Sequence, residues 1–164
     1  MKTSGVNSEM VPIFMPHHSW CGGNLLPHLE RCGIDWVAVY YHVWFKTKQR
    51  KWLLLGEVEE TVKQLILDVA RRHDIHLLEC ETMVDHVHLL VETADDTELS
   101  RAMHLLKGAS ARHLMESIPD IRMDAGVNHF WQKRYGARPV EPSALASVAQ
   151  YIRTQKRRPD KYER

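Results

Sequence analysis

Two hydrophobic periods alternate along this chain, and their order limits its possible folds more than any other feature of the sequence. Segments with β-branched and aromatic residues at alternating or unbroken apolar positions are typical of strands, because successive strand side chains point to opposite faces. Segments with apolar residues three and four positions apart are typical of helices. The sequence predicts strands over residues 36–45, 75–81, 83–92 and 130–140, and helices over residues 57–73, 97–117 and 143–158.

The predicted elements follow the order β-α-β-β-α-β, with one further helix at the end. This order is that of the ferredoxin-like fold. We therefore predict an α+β protein in which two helices cover one face of a four-stranded antiparallel sheet. The added C-terminal helix carries Tyr151. Thr97 and Ser143 stand where the second and third helices are expected to begin, so both are candidate N-caps.

The length of 164 residues fits a single domain, which we assign to residues 31–164. Residues 1–30 contain several prolines and glycines without a sustained period, and we predict an irregular N-terminal extension there. No apolar run approaches the roughly 18 residues that a transmembrane helix needs, so no membrane partner is expected. Three cysteines without a framework spacing fit a reducing cytoplasm.

Charge is unevenly distributed, although the formal net charge is only +1. Residues 36–56 carry four bases and no acid, residues 57–100 carry twelve acids and three bases, and residues 131–164 carry nine bases and three acids. Basic blocks are typical of surfaces that contact phosphate, although a solvated surface is the commoner alternative. The aromatic residues before the first block suit stacking with single-stranded or hairpin nucleic acid.

The third predicted strand contains His86 and His88, separated by one residue. Side chains two positions apart on a strand share a face, so these imidazoles can bind one metal ion while Val87 turns toward the core. The alternative is that both are surface residues on the open face of the sheet. A chain with eleven histidines contains such pairs by chance.

The last helix contains Tyr151 and Gln155, which are four residues apart and therefore lie on one helix face. A tyrosine one turn from an amide on a basic helix suits nucleophilic attack on a phosphate. The Gln155 side chain can also offer its carbonyl oxygen to a metal. The alternative is that Tyr151 packs in the core and Gln155 is solvated, because apolar residues at helical spacing usually face a core.

Four segments occur in an order that resembles one known family: MVDHVHLLVE, LLKGASARHL, FWQKRY and QYIRTQ. They resemble the single-tyrosine HUH transposases of bacterial insertion sequences of the two-hundred type, together with their REP-associated tyrosine transposase relatives. The resemblance covers about residues 34–158. The chain departs from the family at Val84, where members often have proline, and in residues 1–30, an extension that most members lack.

The resemblance implies a metal-dependent transposase that cleaves and rejoins single-stranded DNA through a 5′-phosphotyrosine. Tyr151 matches the nucleophile, and His86, His88 and Gln155 match the metal ligands. The resemblance implies Mg²⁺ or Mn²⁺, and the imidazoles suit Mn²⁺ better than Mg²⁺, which prefers oxygen ligands. It also implies a homodimer that binds hairpin DNA in the bacterial cytoplasm and is nucleoid-associated when bound.

The candidate DNA contacts come from the two basic blocks and the second helix. They are Lys46, Lys48, Arg50, Lys51, Lys107, Arg153, Lys156 and Arg157. An exposed helical lysine without a role is the alternative for Lys107. Two other functions remain open. One is a ferredoxin-like module that binds single-stranded nucleic acid without cutting it. The other is an HUH nuclease of the replication or relaxase type, which usually needs larger domains.

Overall fold

The computed structural model describes residues 38–121 and 129–157. Strand β1 (Val39–Lys46) begins the sheet, and its side chains alternate between buried and half-buried. Tyr41, Val43 and Phe45 are buried in the core, whereas His42 and Trp44 belong to the opposite face. This division follows from the two-residue period of a strand, and about half of the aromatic segment therefore fills the core.

The remaining elements follow in the predicted order. They are helix α1 (Gly56–Arg72), strands β2 (His76–Met83) and β3 (His86–Thr93), helix α2 (Asp96–Ser117), strand β4 (Gly136–Val140) and helix α3 (Leu145–Thr154). The sheet order is β2-β3-β1-β4, and every neighbouring pair is antiparallel. The predicted α+β architecture with a ferredoxin-like sheet is therefore confirmed.

The main core lies between one face of the sheet and the helices α1 and α2. Val87, Leu89 and Val91 of β3 are fully buried there. They pack in one cluster with residues of both helices, including Val62, Ile66, Met103 and Leu106. Helix α3 contacts β2 and β3, but its fully buried Ile152 does not belong to that cluster. The third helix therefore covers part of the opposite face of the sheet.

Both predicted N-caps are wrong. Helix α2 begins at Asp96, and Asp95 caps it by accepting a hydrogen bond from the Glu98 amide at 2.7 Å. Thr97 already lies inside the first turn. Ser143 lies within a 3-10 turn, Pro142–Ala144, that precedes α3, and neither this turn nor α3 has a side-chain cap.

The fourth strand is shorter than the predicted segment over residues 130–140. Phe130 and Trp131 are adjacent and both buried, but they lie outside the regular strand, which begins at Gly136. They close the end of the core, where the Trp131 ring meets Phe45 edge-on at 4.7 Å between centroids. In the described residues, the pairing of Phe130 and Trp131 with the sheet is limited to one isolated antiparallel bridge. It joins Trp131 to Thr47, the residue that follows β1.

The structure bears only partly on the expectations for the N-terminal residues and for the membrane. The N-terminal extension predicted for residues 1–30 lies outside the described residues. Within the described ranges, no helix has both the length and the apolar character needed to cross a bilayer.

Candidate active site

Strand β3 divides its side chains between the core and an open cavity. Val87 turns into the core, whereas His86 and His88 lie on the opposite face, as the alternation predicts. Strand pairing places Lys46 of β1 opposite His86, and Trp44 opposite His88. Directly paired residues share a face of the sheet. The two neighbouring strands therefore supply one continuous wall.

The two histidine rings converge through their Nε2 atoms, which are 3.1 Å apart. Each Nδ1 atom already has a partner: Asp85 Oδ1 lies 2.5 Å from Nδ1 of His86, and His42 Nε2 lies 2.9 Å from Nδ1 of His88. Burial, and then the charge of Arg138, lower the pKa of His42. A neutral His42 can accept the proton of the His88 Nδ1–H group. If both rings carry their proton on Nδ1, toward Asp85 and His42, the Nε2 lone pairs of His86 and His88 face each other.

Facing lone pairs repel unless a proton or a cation lies between them, so this geometry fits a metal. Two nitrogen ligands at about 2.1 Å from one ion, at an angle near 90°, stand about 3 Å apart. Within the described ranges, no group of three or more His, Cys, Asp or Glu residues is arranged to hold a metal. A cation bound by His86 and His88 would therefore need a different side chain as its third protein ligand.

Gln155 has the chemistry and the position for that third ligand. It is only 5% exposed, it lines the same cavity as the two histidines, and its Nε2 atom has no hydrogen-bond partner in the described part of the chain. A buried amide nitrogen without a hydrogen-bond partner is costly. Rotation of the amide exchanges its nitrogen and oxygen positions. The side chain can therefore present an oxygen to a cation bound by His86 and His88.

Tyr151 lies one helical turn before Gln155 and lines the same cavity. Its ring meets the rings of His42 and His88 edge-on, with centroid distances of 5.9 and 6.4 Å. The residue is 36% exposed, so a ligand in the cavity can reach it. The four residues predicted for catalysis and metal binding therefore line one cavity, and all of them come from the same chain.

The predicted DNA contacts are distributed over several places. The cavity has a volume of about 390 Å³, and Lys46, Arg50 and Arg138 supply its basic lining. Lys48 and Lys107 line a separate groove, beside α2. Lys51 is half-buried and lines neither.

Helix α3 and the turn that follows it use their basic residues differently. Arg153 forms an ion pair with Glu79 of β2, and Lys156 forms one with Glu59 of α1. Neither residue lines the cavity. The side chain of Arg157 lies outside the described part of the chain. The described basic side chains of this segment therefore tie the tyrosine helix to the body of the protein.

The structure gives Lys107 a role that the sequence did not predict. Its ammonium donates hydrogen bonds to the backbone carbonyls of Gln132 and Lys133 at 2.8 and 2.9 Å, and more weakly to that of Arg134. Burial lowers the pKa of Lys107. The lysine therefore anchors residues 132–134, and their carbonyls compete with any phosphate for the hydrogen bonds of its ammonium group.

The variant Lys107→Gln is expected to lower the free energy of unfolding by about 1–3 kcal/mol, because hydrogen bonds to a charged group are lost. The salt dependence of DNA binding should not change, since no phosphate contact is removed. Urea unfolding and binding titrations at several salt concentrations measure both effects. Lys133→Gln, which changes an exposed side chain, is the matched control. If Lys107→Gln left the free energy of unfolding unchanged and made the salt dependence of DNA binding shallower, Lys107 would be a DNA contact, as the sequence predicted.

Sequence reasoning missed Asp85 and Arg138 as parts of the site, and it included His42 and Trp44 only among the aromatic residues suited to stacking with nucleic acid. Asp85 and His42 orient the two histidine rings, and Arg138 and Trp44 line the cavity. The indole of Trp44 lies so close to Gly136 that a Cβ atom there would stand 2.6 Å from the indole nitrogen. The period of β1 places His42 and Trp44 on one face, and this signal was available. Arg138 could be found only from the pairing of β4 with β1.

Comparisons with known proteins agree with this site. The family model of IS200-like transposases matches residues 36–155. The ISDra2 transposase TnpA of Deinococcus radiodurans is 30% identical over 132 residues, covering 80% of this chain and 94% of the relative. The transposase for the insertion sequence element IS200 of Salmonella typhimurium is 29% identical over 115 residues, covering 70% of this chain and 75% of the relative.

Two solved structures are similar. A crystal structure of a proposed transposase from Deinococcus radiodurans matches with a TM-score of 0.60 and 30% identity, covering 75% of this chain and 95% of that one. A REP-associated tyrosine transposase bound to a REP hairpin matches with a TM-score of 0.52 and 14% identity, covering 71% and 65%. The second likeness concerns the fold alone. Because the family model matches residues 36–155, most of the chain, the protein belongs to the IS200-like transposases, which are enzymes that cut and rejoin DNA.

Proposed function

We propose that this transposase cleaves and rejoins single-stranded DNA through a 5′-phosphotyrosine on Tyr151, with a divalent cation held by His86, His88 and Gln155. One observation carries the proposal: Tyr151 and the converging Nε2 atoms of the two histidines line a single cavity within one chain. The donor set of two imidazoles and one amide oxygen accommodates Mn²⁺ and, less favourably, Mg²⁺.

The chain's own residues supply most of what the reaction needs. Tyr151 oxygen attacks phosphorus, the 3′-oxygen of the neighbouring nucleotide leaves and takes up a proton, and the 5′-phosphate stays on the tyrosine. A free phenol has a pKa near ~10, so it is a weak nucleophile at neutral pH. A bound cation would polarise the phosphoryl oxygens. Lys46, Arg50 and Arg138 place positive charge around the same cavity.

Rejoining reverses these bonds. A different 3′-hydroxyl attacks the phosphotyrosine, and the tyrosine oxygen leaves and is protonated. One phosphoester replaces another in each step, so the bond energy is retained in the covalent intermediate. No nucleotide hydrolysis is then required. A GxxxxGK[ST] phosphate loop would indicate such hydrolysis, and the sequence does not contain one.

Single-stranded or hairpin DNA is the substrate that the cavity supports best. Trp44 and His42 line it beside three basic side chains, and bases stack on aromatic rings while cations bind the backbone. The REP-associated relative was solved with a REP hairpin. We extend this ligand class to the present chain, and we expect the protein to act at the nucleoid.

We also propose that the protein works as a homodimer. Moving a DNA segment requires two strand breaks, and one Tyr151 can hold only one 5′-phosphate at a time. A twofold pair is the commonest oligomer. Light scattering on the DNA complex tests this directly, and a total mass equal to a single chain with its bound DNA would reject the dimer.

The decisive experiment is incubation of the full chain with single-stranded DNA and Mn²⁺, followed by a denaturing gel. A covalent protein–DNA adduct that requires the metal is expected. A protein that binds single strands but forms no adduct with Mn²⁺ or Mg²⁺ would contradict cleavage, and it would favour the non-cleaving binding module.

A further inference from the structure

A strained turn lies beside the cavity, at the end of β1. Gln49 and Arg50 both adopt left-handed backbone angles, with φ of 59° and 55°. Residues other than glycine rarely adopt this conformation, which costs on the order of 1–3 kcal/mol each and persists only where surrounding contacts enforce it. Such strain is concentrated at functional sites, and this turn carries Arg50 at the cavity wall.

Neighbouring contacts hold the turn in place. Thr47, just before it, is fully buried. The Thr47 hydroxyl donates to the carbonyl of Lys51 at 2.7 Å, and its amide donates to the carbonyl of Asp85 at 2.9 Å. The Lys48 amide donates to the carbonyl of Phe130 at 2.8 Å. The backbone around Arg50 is therefore fixed relative to the start of β3.

The side chain of Arg50 is fixed as well. Its Nε atom donates to Asp85 Oδ2 at 2.8 Å, while the other carboxylate oxygen contacts Nδ1 of His86. Burial alone would raise the pKa of Asp85, but the hydrogen bonds from His86 and Arg50 outweigh it and keep that pKa below its ordinary value. One buried carboxylate therefore orients both a guanidinium and a histidine of the site.

The terminal nitrogens of Arg50 remain available to a ligand. The contacts of the described residues include no hydrogen bond to either nitrogen, and the side chain is 61% exposed at the cavity wall. A guanidinium held through Nε still has four N–H groups in a planar fork, which matches two oxygens of one phosphate.

We propose that Arg50 is a catalytic residue that binds the non-bridging oxygens of the scissile phosphate, and that Asp85 positions it relative to His86. This inference rests on the proposed phosphotyrosine chemistry and names the residue that stabilises its transition state. Charge builds on those oxygens during attack, and fixed donors stabilise that charge without reorganising.

The other basic residues of the cavity lack this anchoring. Lys46 carries a flexible ammonium that acts as a point charge, and no hydrogen bond of its side chain occurs among the described contacts. Arg138 lies on the edge strand β4 and is exposed. Among the described Lys and Arg side chains of the cavity, Arg50 alone shares the Asp85 carboxylate with His86, so the fold sets its distance from that ring.

The test compares Arg50→Gln, Arg50→Lys and Asp85→Asn with Arg72→Gln, an exposed arginine at the end of α1, as the control. Single-turnover adduct formation should slow by about 10²–10³-fold in Arg50→Gln, and less in Arg50→Lys, which keeps the charge but not the fork. When Arg50→Gln is combined with Tyr151→Phe, so that no reaction occurs, its effect on DNA affinity should be much smaller than its effect on the rate. Asp85→Asn should slow the reaction, and Arg72→Gln should leave it unchanged.

A second substrate separates phosphate contact from structural damage. A methylphosphonate at the cleavage position replaces one non-bridging oxygen and its charge by a methyl group, so Arg50 has one oxygen fewer to bind and less negative charge to stabilise. The rate difference between wild type and Arg50→Gln should then shrink to within about 10-fold. Equal differences on both substrates, or a loss of affinity as large as the loss of rate, would overturn the proposal. If wild type forms no adduct with the phosphate substrate, the proposed chemistry itself fails.

Discussion

Replacing Tyr151 with phenylalanine is expected to abolish the covalent adduct, with a loss of rate of at least about 10⁴-fold, because the variant has no oxygen to attack phosphorus. Only one oxygen atom is removed from a residue that is 36% exposed, so the fold and the affinity for DNA should be retained. Adduct formation on denaturing gels, thermal unfolding and DNA titration measure these three properties.

Tyr135→Phe is the matched control for this change. Tyr135 is half-buried, packs against the main core and lines the groove beside α2 rather than the Tyr151 cavity. Its variant should form the adduct at the wild-type rate. If the adduct survives in Tyr151→Phe and disappears in Tyr135→Phe, the nucleophile is Tyr135 and our assignment of Tyr151 is wrong.

Replacing His88 with alanine is expected to remove the metal site. Losing a residue that only supports a ligand typically costs 10–100-fold in metal affinity, so loss of a ligand itself should cost at least about 100-fold. Calorimetric titration with Mn²⁺ measures the affinity. Thermal unfolding gives a second measurement, since a ligand at 100 times its Kd stabilises the folded state by about 2.7 kcal/mol.

Wild type should therefore gain stability with Mn²⁺, and His88→Ala should not. His76→Ala is the control, because His76 lies on β2 with a largely exposed side chain and outside the cavity. Equal stabilisation of wild type and His88→Ala would contradict the site. Equal loss in both histidine variants would indicate nonspecific metal binding to imidazoles.

Local sequence periods predicted the parts of the site that depend on one element. His86 and His88 share a face because they are two apart on a strand, and Tyr151 and Gln155 share a face because they are four apart on a helix. Both conclusions need only the geometry of β3 or α3. The same geometry places the core residues of β1 on one face and His42 and Trp44 on the other, a division that the sequence analysis did not use.

Contacts between distant segments could not be predicted in this way. Arg50 bonds to Asp85, which is 35 positions away in the sequence. The contact depends on a left-handed turn at Gln49 and Arg50, where the sequence has no glycine to indicate that conformation. Lys107 reaches carbonyls 25 to 27 positions away. The fourth strand was overestimated because Phe130 and Trp131 suit a strand by type, yet both close the core. Each outcome depends on tertiary packing rather than on local preference.

The attachment of α3 has a consequence for how firmly the site is assembled. The helix, all of whose residues are described, fully buries only Ile152, and surface ion pairs such as Arg153–Glu79 and Lys156–Glu59 contribute about 0–1 kcal/mol and weaken with salt. Strand β3 lies inside the sheet, paired on both sides. Local opening of the tyrosine helix should therefore cost less free energy than opening of the histidine strand. Rising ionic strength should depopulate the assembled site while the sheet stays folded.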